Sequence, residues 1–126
     1  MEDAGFFIDA LRGFPGPYAA YAYKTIGNKG LLKLMENVDD RKAKFQSVIV
    51  YCDNSSCLPV CFKGEAAGKI TNEELRGNGK SGFGFDPVFQ PLGSEKTFAE
   101  MTLEEKNGFS HRAKAVRKFA EWYKRL

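Results

Sequence analysis

Three groups of residues carry side chains able to do chemistry. The first is the adjacent carboxylate pair Glu2-Asp3, placed before Gly5 and an apolar run. Carboxylate oxygens at a strand end can hold a hard divalent cation or take a proton from water. A short acidic pair serves equally as a solvated terminus. The second group is Ser81-Gly82-Phe83-Gly84-Phe85-Asp86-Pro87. Glycines bracketing rings let backbone approach a ligand while a ring stacks on it, and a stacked base gains roughly 1–3 kcal/mol. The same composition suits a structural loop whose rings plug into the core. The third group is Lys106 with Ser110-His111-Arg112. Backbone N–H groups at a helix start favour anions and carbonyl oxygens, and His111 and Arg112 add side-chain donors. Lys106, one turn upstream, can meet a phosphate. The competing reading is a capped helix with a solvated basic face.

Cys52, Cys57 and Cys61 form a weaker cluster. Their C-x4-C-x3-C spacing has no fourth ligand close by, and the single histidine, His111, is far along the chain. Reduced thiols acting as small hydrophobes on strands are expected.

These groups need elements to position them. Phe6, Phe7 and Ile8 read as a short buried strand or strand end, and residues 13–17 as a turn of Gly and Pro. A helix is expected over 18–26, with Gly27 and Asn28 ending it. A second short helix is expected over 30–35, with Leu31, Leu34 and Met35 on one side. Residues 45–51 are β-rich, 53–56 have turn chemistry, and 58–62 return as the hairpin partner. Residues 65–70 are expected to add another strand, and 76–84 to form a loop. Thr102-Leu103-Glu104-Glu105 has the form of a capping box, with Asn107-Gly108 ending its helix. Ser110 is expected to cap a last helix whose apolar positions are Ala113, Val116, Phe119, Ala120, Tyr123 and Leu126. Strands in the middle and a helix at the end fit an α/β or α+β sandwich.

Composition bounds the functions available. With 126 residues, 43% hydrophobic and 28% charged, the chain is long enough for one domain with one core. No apolar run is long enough to span a bilayer, and the acidic first residues do not read as a signal peptide, so the cytoplasm is the expected location. The net charge of +3 does not demand nucleic acid. The basic residues Arg112, Lys114, Arg117, Lys118, Lys124 and Arg125 do gather near the end, so a single-strand-binding helix is a further reading. Glu100, Glu104, Glu105 and Glu121 dilute that field, and steep salt dependence is its signature.

The order of the pieces is more specific than any piece alone. Glu2-Asp3-Ala4-Gly5-Phe6, Gly13-Phe14-Pro15-Gly16-Pro17-Tyr18, Gly82-Phe83-Gly84-Phe85-Asp86-Pro87-Val88-Phe89, Phe98-Ala99-Glu100-Met101, and Glu105-Lys106-Asn107 through Ser110-His111-Arg112 follow in turn. This series resembles the inosine/xanthosine triphosphate pyrophosphatase family over essentially the whole chain. The resemblance implies an α/β fold with a central mixed sheet flanked by helices, and a homodimer. It implies magnesium-dependent hydrolysis of deaminated purine nucleotides (ITP, dITP, XTP) to the monophosphate and pyrophosphate. It also implies that Glu2 and Asp3 serve the metal, with Asp3 as general base. Phe83 would stack on the base, and Phe85 and Asp86 would line its pocket. Lys106 would hold phosphate or fix the base, and His111 and Arg112 would bond the purine's keto edge.

The family opens with a strand and a Ser/Thr-x-Asn-x-x-Lys phosphate loop that has no counterpart here. Ala19-Ala20 also stand where relatives often carry serines. The expectation is one domain over 1–126, N-terminally truncated relative to the family. A catalytically impaired purine-nucleotide-binding fragment is the alternative to a working enzyme. Sheet groups left open by a missing strand would be covered by a dimer or a swapped element.

Overall fold

Alternating side chains build the sheet at the centre of the computed structural model, which describes residues 2–52, 59–76 and 84–125, and only the backbone of Glu2 and Asp3. The elements in order are β1 (Glu2–Ile8), β2 (Pro15–Gly16), α1 (Ala19–Thr25), α2 (Gly27–Leu34), β3 (Lys42–Tyr51), β4 (Val60–Ile70), β5 (Phe89–Pro91), α3 (Leu103–Phe109) and α4 (His111–Lys124). The strands pair in the order β2-β1-β3-β4-β5, and every described pairing is antiparallel. The α/β architecture is the expected one. No pair is parallel among the described residues: β2 and β3 flank β1 and both run antiparallel to it, so the α1–α2 connection between them crosses over β1.

Register sets the core. Phe6 lies opposite Phe45, Phe45 opposite Ala66, and Ser47 opposite Gly64. These residues share one face with the fully buried Ile8 and with Ile70. Phe6 stacks on Phe45 at 4.3 Å, Phe89 meets Phe45 edge-on at 4.8 Å, and Phe98 follows Phe89 at 5.1 Å. Each fully buried ring contributes about 1.5–3 kcal/mol by leaving water. The opposite face presents Lys44, Lys63, Glu65 and Lys69, the last three exposed.

The helices follow from caps and breaks. Gly27 takes φ +65°, which separates α1 from α2. Asn28 therefore belongs to α2 rather than ending α1. Leu31 and Met35 are buried, but Leu34 is exposed, so it leaves the side expected for it. Arg41 ties the α2–β3 connection to the end of β4, donating to the carbonyls of Met35, Ile70 and Thr71 at 2.8, 2.8 and 2.6 Å. The Thr102–Glu105 capping box is present, though α3 runs past Asn107-Gly108 to Phe109. The Ser110 hydroxyl accepts from the Ala113 N–H at 3.3 Å, capping α4.

Three further expectations are corrected. Residues 60–70 form one strand, not two, because Gly64 sits where α4 crosses closest. A Cβ built on it collides with the His111 carbonyl oxygen and lies 2.5 Å from the Ala115 nitrogen. On α4 the inward face is Ala115, Phe119 and Trp122, and the rings of the last two pack with Tyr51 and Phe62. Val116 and Ala120 face outward, and Tyr123 sits at the margin, exposed on one side with its ring 6.3 Å from Tyr51 and 5.9 Å from Phe119. Cys52 and Cys61 are exposed rather than packed as small hydrophobes. The turn at 53–56, Cys57, Leu58, the run 77–83 and Leu126 lie outside the described residues.

Candidate active site

Four segments distant in sequence converge at one end of the sheet. Ahead of β5 lies a short 3-10 turn, Asp86–Val88, which buries Asp86. α3 delivers Lys106, whose ammonium donates to Asp86 Oδ2 at 2.6 Å. The pair is largely removed from water, with side-chain exposures of 7% for Asp86 and 22% for Lys106. The ammonium also lies 5.6 Å from the centre of the Phe98 ring. α4 delivers His111 and Arg112 in its first turn, where helical N–H groups concentrate positive potential. α2 supplies Asn28, whose Nδ2 donates to the Gly84 carbonyl at 3.2 Å and so moors the loop ahead of Phe85-Asp86.

His111 is held from below. Its ring lies parallel to Phe45, 5.0 Å between centres and 12° between planes. Burial is the main reason its pKa falls from 6.5 to about 4, and the Arg112, Lys106 and Lys114 cations push the same way. The imidazole is therefore neutral at neutral pH. In the unfolded chain it gains its proton near 6.5, and in the folded chain only near 4. The native form's advantage is thus whole above 6.5 and is lost as pH falls through that window, by up to about 3 kcal/mol. Urea midpoints measured from about pH 7 to about pH 4 should fall more steeply for the parent than for His111→Gln. Parallel curves would contradict this.

The residues singled out in the sequence divide as follows. Asp86, Lys106, His111 and Arg112 come together. Phe85 is 3% exposed and packs between Phe6 and Tyr23, so its ring belongs to the core and anchors the loop from behind. Phe83 lies outside the described residues, as do the side chains of Glu2 and Asp3. The backbone of that pair lies in β1, opposite Ile49 and Val48. Among the described residues no group of three His, Cys, Asp or Glu could hold a metal. Carboxylate oxygens are the right donors for a hard cation, so the fit rests on Glu2 and Asp3. Sequence reading missed Asn28, whose partner is 56 residues away, and Ser47, which lies beneath the site.

The basic run on α4 has a separate structural task. β5 pairs only with residues 68–70 of β4, which leaves the earlier part of that strand at an edge among the described residues. Lys114 donates to the Glu65 carbonyl at 2.9 Å and Lys118 to the Lys63 carbonyl at 2.7 Å. Lysines that cap edge carbonyls block pairing with another chain. They line an open groove of about 520 Å³ with Gly64 and Arg117, away from the Asp86–Lys106 pair.

The fold has counterparts. The Ham1 family model matches residues 1–122. The dITP/XTP pyrophosphatase of Methanopyrus kandleri is 54% identical over 124 residues, covering 98% of this chain and 64% of that protein. That of Pyrococcus horikoshii is 54% identical over 125 residues, with the same coverage of 98% and 64%. The chain thus spans 64% of the length of these curated relatives. The Staphylococcus aureus Ham1 protein superposes with a TM-score of 0.86 at 33% identity, over 98% of this chain and 65% of that one. A HAM1 protein from Coxiella burnetii gives 0.87 at 30% identity, over 99% and 66%. The matched residues include the sheet, the Asp86 turn, α3 and the start of α4, and the chain belongs to the Ham1 family.

Proposed function

We propose that this chain carries the purine-selecting part of a nucleoside-triphosphate pyrophosphatase that converts ITP, dITP and XTP to the monophosphate and pyrophosphate. The supporting observation is the neutral His111 beside Arg112, stacked on Phe45 and flanked by the Asp86–Lys106 pair. The Methanopyrus kandleri and Pyrococcus horikoshii relatives are dITP/XTP pyrophosphatases.

The chemistry follows from the donors. Position 6 of hypoxanthine and xanthine is a carbonyl acceptor, whereas adenine offers an amino donor there. A neutral imidazole N–H and the Arg112 guanidinium satisfy the first and oppose the second. A buried donor left facing a donor costs about 1–3 kcal/mol, and a dedicated site can reach roughly 10⁴-fold discrimination. Phe83 supplies the stacking face for the base. Lys106, already turned toward Asp86, orders the loop next to it and offers a cation to the nucleotide.

At the phosphate end, Asp3 takes a proton from the water whose oxygen attacks the α-phosphorus. The α–β bridging P–O bond breaks and pyrophosphate leaves. Glu2 and Asp3 would hold a divalent cation, magnesium in this reading, which neutralises charge on the phosphoryl oxygens. The protein acts as a cytoplasmic homodimer in the same reading.

Pyrophosphate release by the purified chain, with magnesium and ITP, XTP or ATP, tests the reading. Release from the first two and not the third is expected. Equal release from ATP would sink it. A folded chain that releases none, yet binds inosine nucleotides over adenosine ones, leaves the nucleotide-binding alternative in its place. Arg112→Ala should lower kcat/KM for ITP by roughly 10- to 100-fold with the fold intact, the equivalent of one charged hydrogen bond. Asp3→Asn should abolish turnover while preserving the circular dichroism spectrum. Retained turnover would remove Asp3 as base.

A further inference from the structure

The buried edge of the His111 ring carries information that its ligand-facing edge does not. Nδ1 is closed to solvent and has no hydrogen-bond partner, and the same is true of the Ser47 hydroxyl. Only Nε2 is therefore left to meet a nucleotide. Ser47 is 0% exposed and sits in the middle of β3, two residues beyond Phe45 on the same sheet face. Its partner across β3–β4 is Gly64. His111 stacks on Phe45, and its backbone comes down on Gly64. Both residues that His111 rests on are thus direct neighbours of Ser47.

Two nearby backbone donors are already used. The Ala113 N–H goes to the Ser110 hydroxyl and the Lys114 N–H to the Ser110 carbonyl. A neutral imidazole has one proton and one lone pair, on opposite nitrogens. Whichever of the two Nδ1 carries must be met from inside the protein, since an unmet buried polar group is strongly disfavoured.

We propose that the Ser47 hydroxyl reaches Nδ1 of His111 through one buried water, donating to the water, which donates to Nδ1, and so holds the ring as its Nε2–H tautomer. Ser47 is then a positioning residue for purine choice, acting through His111. With the hydroxyl donating, Nε2 is a donor and faces a 6-keto oxygen well. With the polarity reversed, Nδ1 would carry the proton, Nε2 would be an acceptor, and the site would suit a 6-amino group. One serine rotor therefore decides which purine edge the histidine reads. The inference rests on the base-reading role given to His111 above.

His111 is the chain's single histidine, so one imidazole dominates the nitrogen spectrum. The test is ¹⁵N–¹H correlation of the full chain labelled in histidine, without nucleotide, at about pH 7. The parent should show a protonated Nε2 and a hydrogen-bonded, unprotonated Nδ1. Ser47→Ala should move the Nδ1 signal to that of a free acceptor and raise the Nδ1–H form. Ser47→Thr, which keeps the hydroxyl, should restore the parent pattern. The affinity preference for inosine over adenosine monophosphate should shrink about tenfold in the alanine variant, the worth of one hydrogen bond.

A parent ring protonated at Nδ1, or a folded Ser47→Ala protein with an unchanged ring spectrum, would overturn the proposal. Should a variant fail to fold, the parent spectrum alone still decides the tautomer. The expected tautomers with no purine preference in any variant would leave the Ser47–His111 contact standing and overturn the base-reading role instead.

Discussion

Alanine in place of Gly64 is expected to lower folding stability by about 3 kcal/mol, the upper end for overpacking a tight contact. The added Cβ collides with the His111 carbonyl oxygen and lies 2.5 Å from the Ala115 nitrogen and 2.9 Å from Lys114 Cβ. Two of these are backbone atoms, so no rotamer change relieves them. Either α4 lifts from the sheet or β4 bends. Lifting α4 also moves His111 off Phe45 and separates Phe119 and Trp122 from Tyr51 and Phe62. Urea unfolding checks this directly. A Gly64→Ala protein with the parent's midpoint would mean that α4 does not press on the sheet as described.

Lys106→Met is expected to be comparably severe, about 3 kcal/mol, the lower end of the cost of breaking a buried ion pair. The lower end applies because Lys106 keeps 22% of its side chain in water. The damage falls on Asp86, which is 7% exposed and loses a partner at 2.6 Å. Removing that charge as well, in Lys106→Met with Asp86→Asn, should recover part of the loss. A double variant no more stable than the single one would place the cost in packing against Phe98 instead. High salt should change the parent little, since a buried pair is poorly screened.

What the sequence made legible was local. The Thr102–Glu105 box and the Ser110 cap were readable because a side chain bonds backbone three residues away. The apolar run Phe6-Phe7-Ile8 announced β1, though only Phe6 and Ile8 of the three are buried. What stayed hidden depends on distant contacts. Lys63-Gly64 reads as a break, yet the strand continues because α4 requires a missing side chain above it. Two apolar stripes on α4 share helical spacing, and only the rings of Tyr51 and Phe62 select Phe119 and Trp122 as the inward one. The gathered basic residues offered a single-strand-binding helix as a lesser reading, and two of them, Lys114 and Lys118, cap edge carbonyls.

The site divides along the same line. Asp86, Lys106, His111 and Arg112 were recognisable from their order, but the Asp86–Lys106 bond was not, nor was the fate of Phe85 as a core ring. Ser47 and Asn28 carry no sequence signal at all. Each matters through what lies across the sheet or across the loop: Gly64 and Phe45 for one, Gly84 for the other.

The account turns on a donor edge that distinguishes purines at position 6. The most direct measurement is calorimetric affinity of the purified chain for inosine and adenosine nucleotides under the same magnesium and salt. The account predicts inosine nucleotides bound at least about tenfold more tightly, one hydrogen bond's worth, with the difference removed in Arg112→Ala. Equal affinity for the two purines, from a folded parent chain, would contradict it.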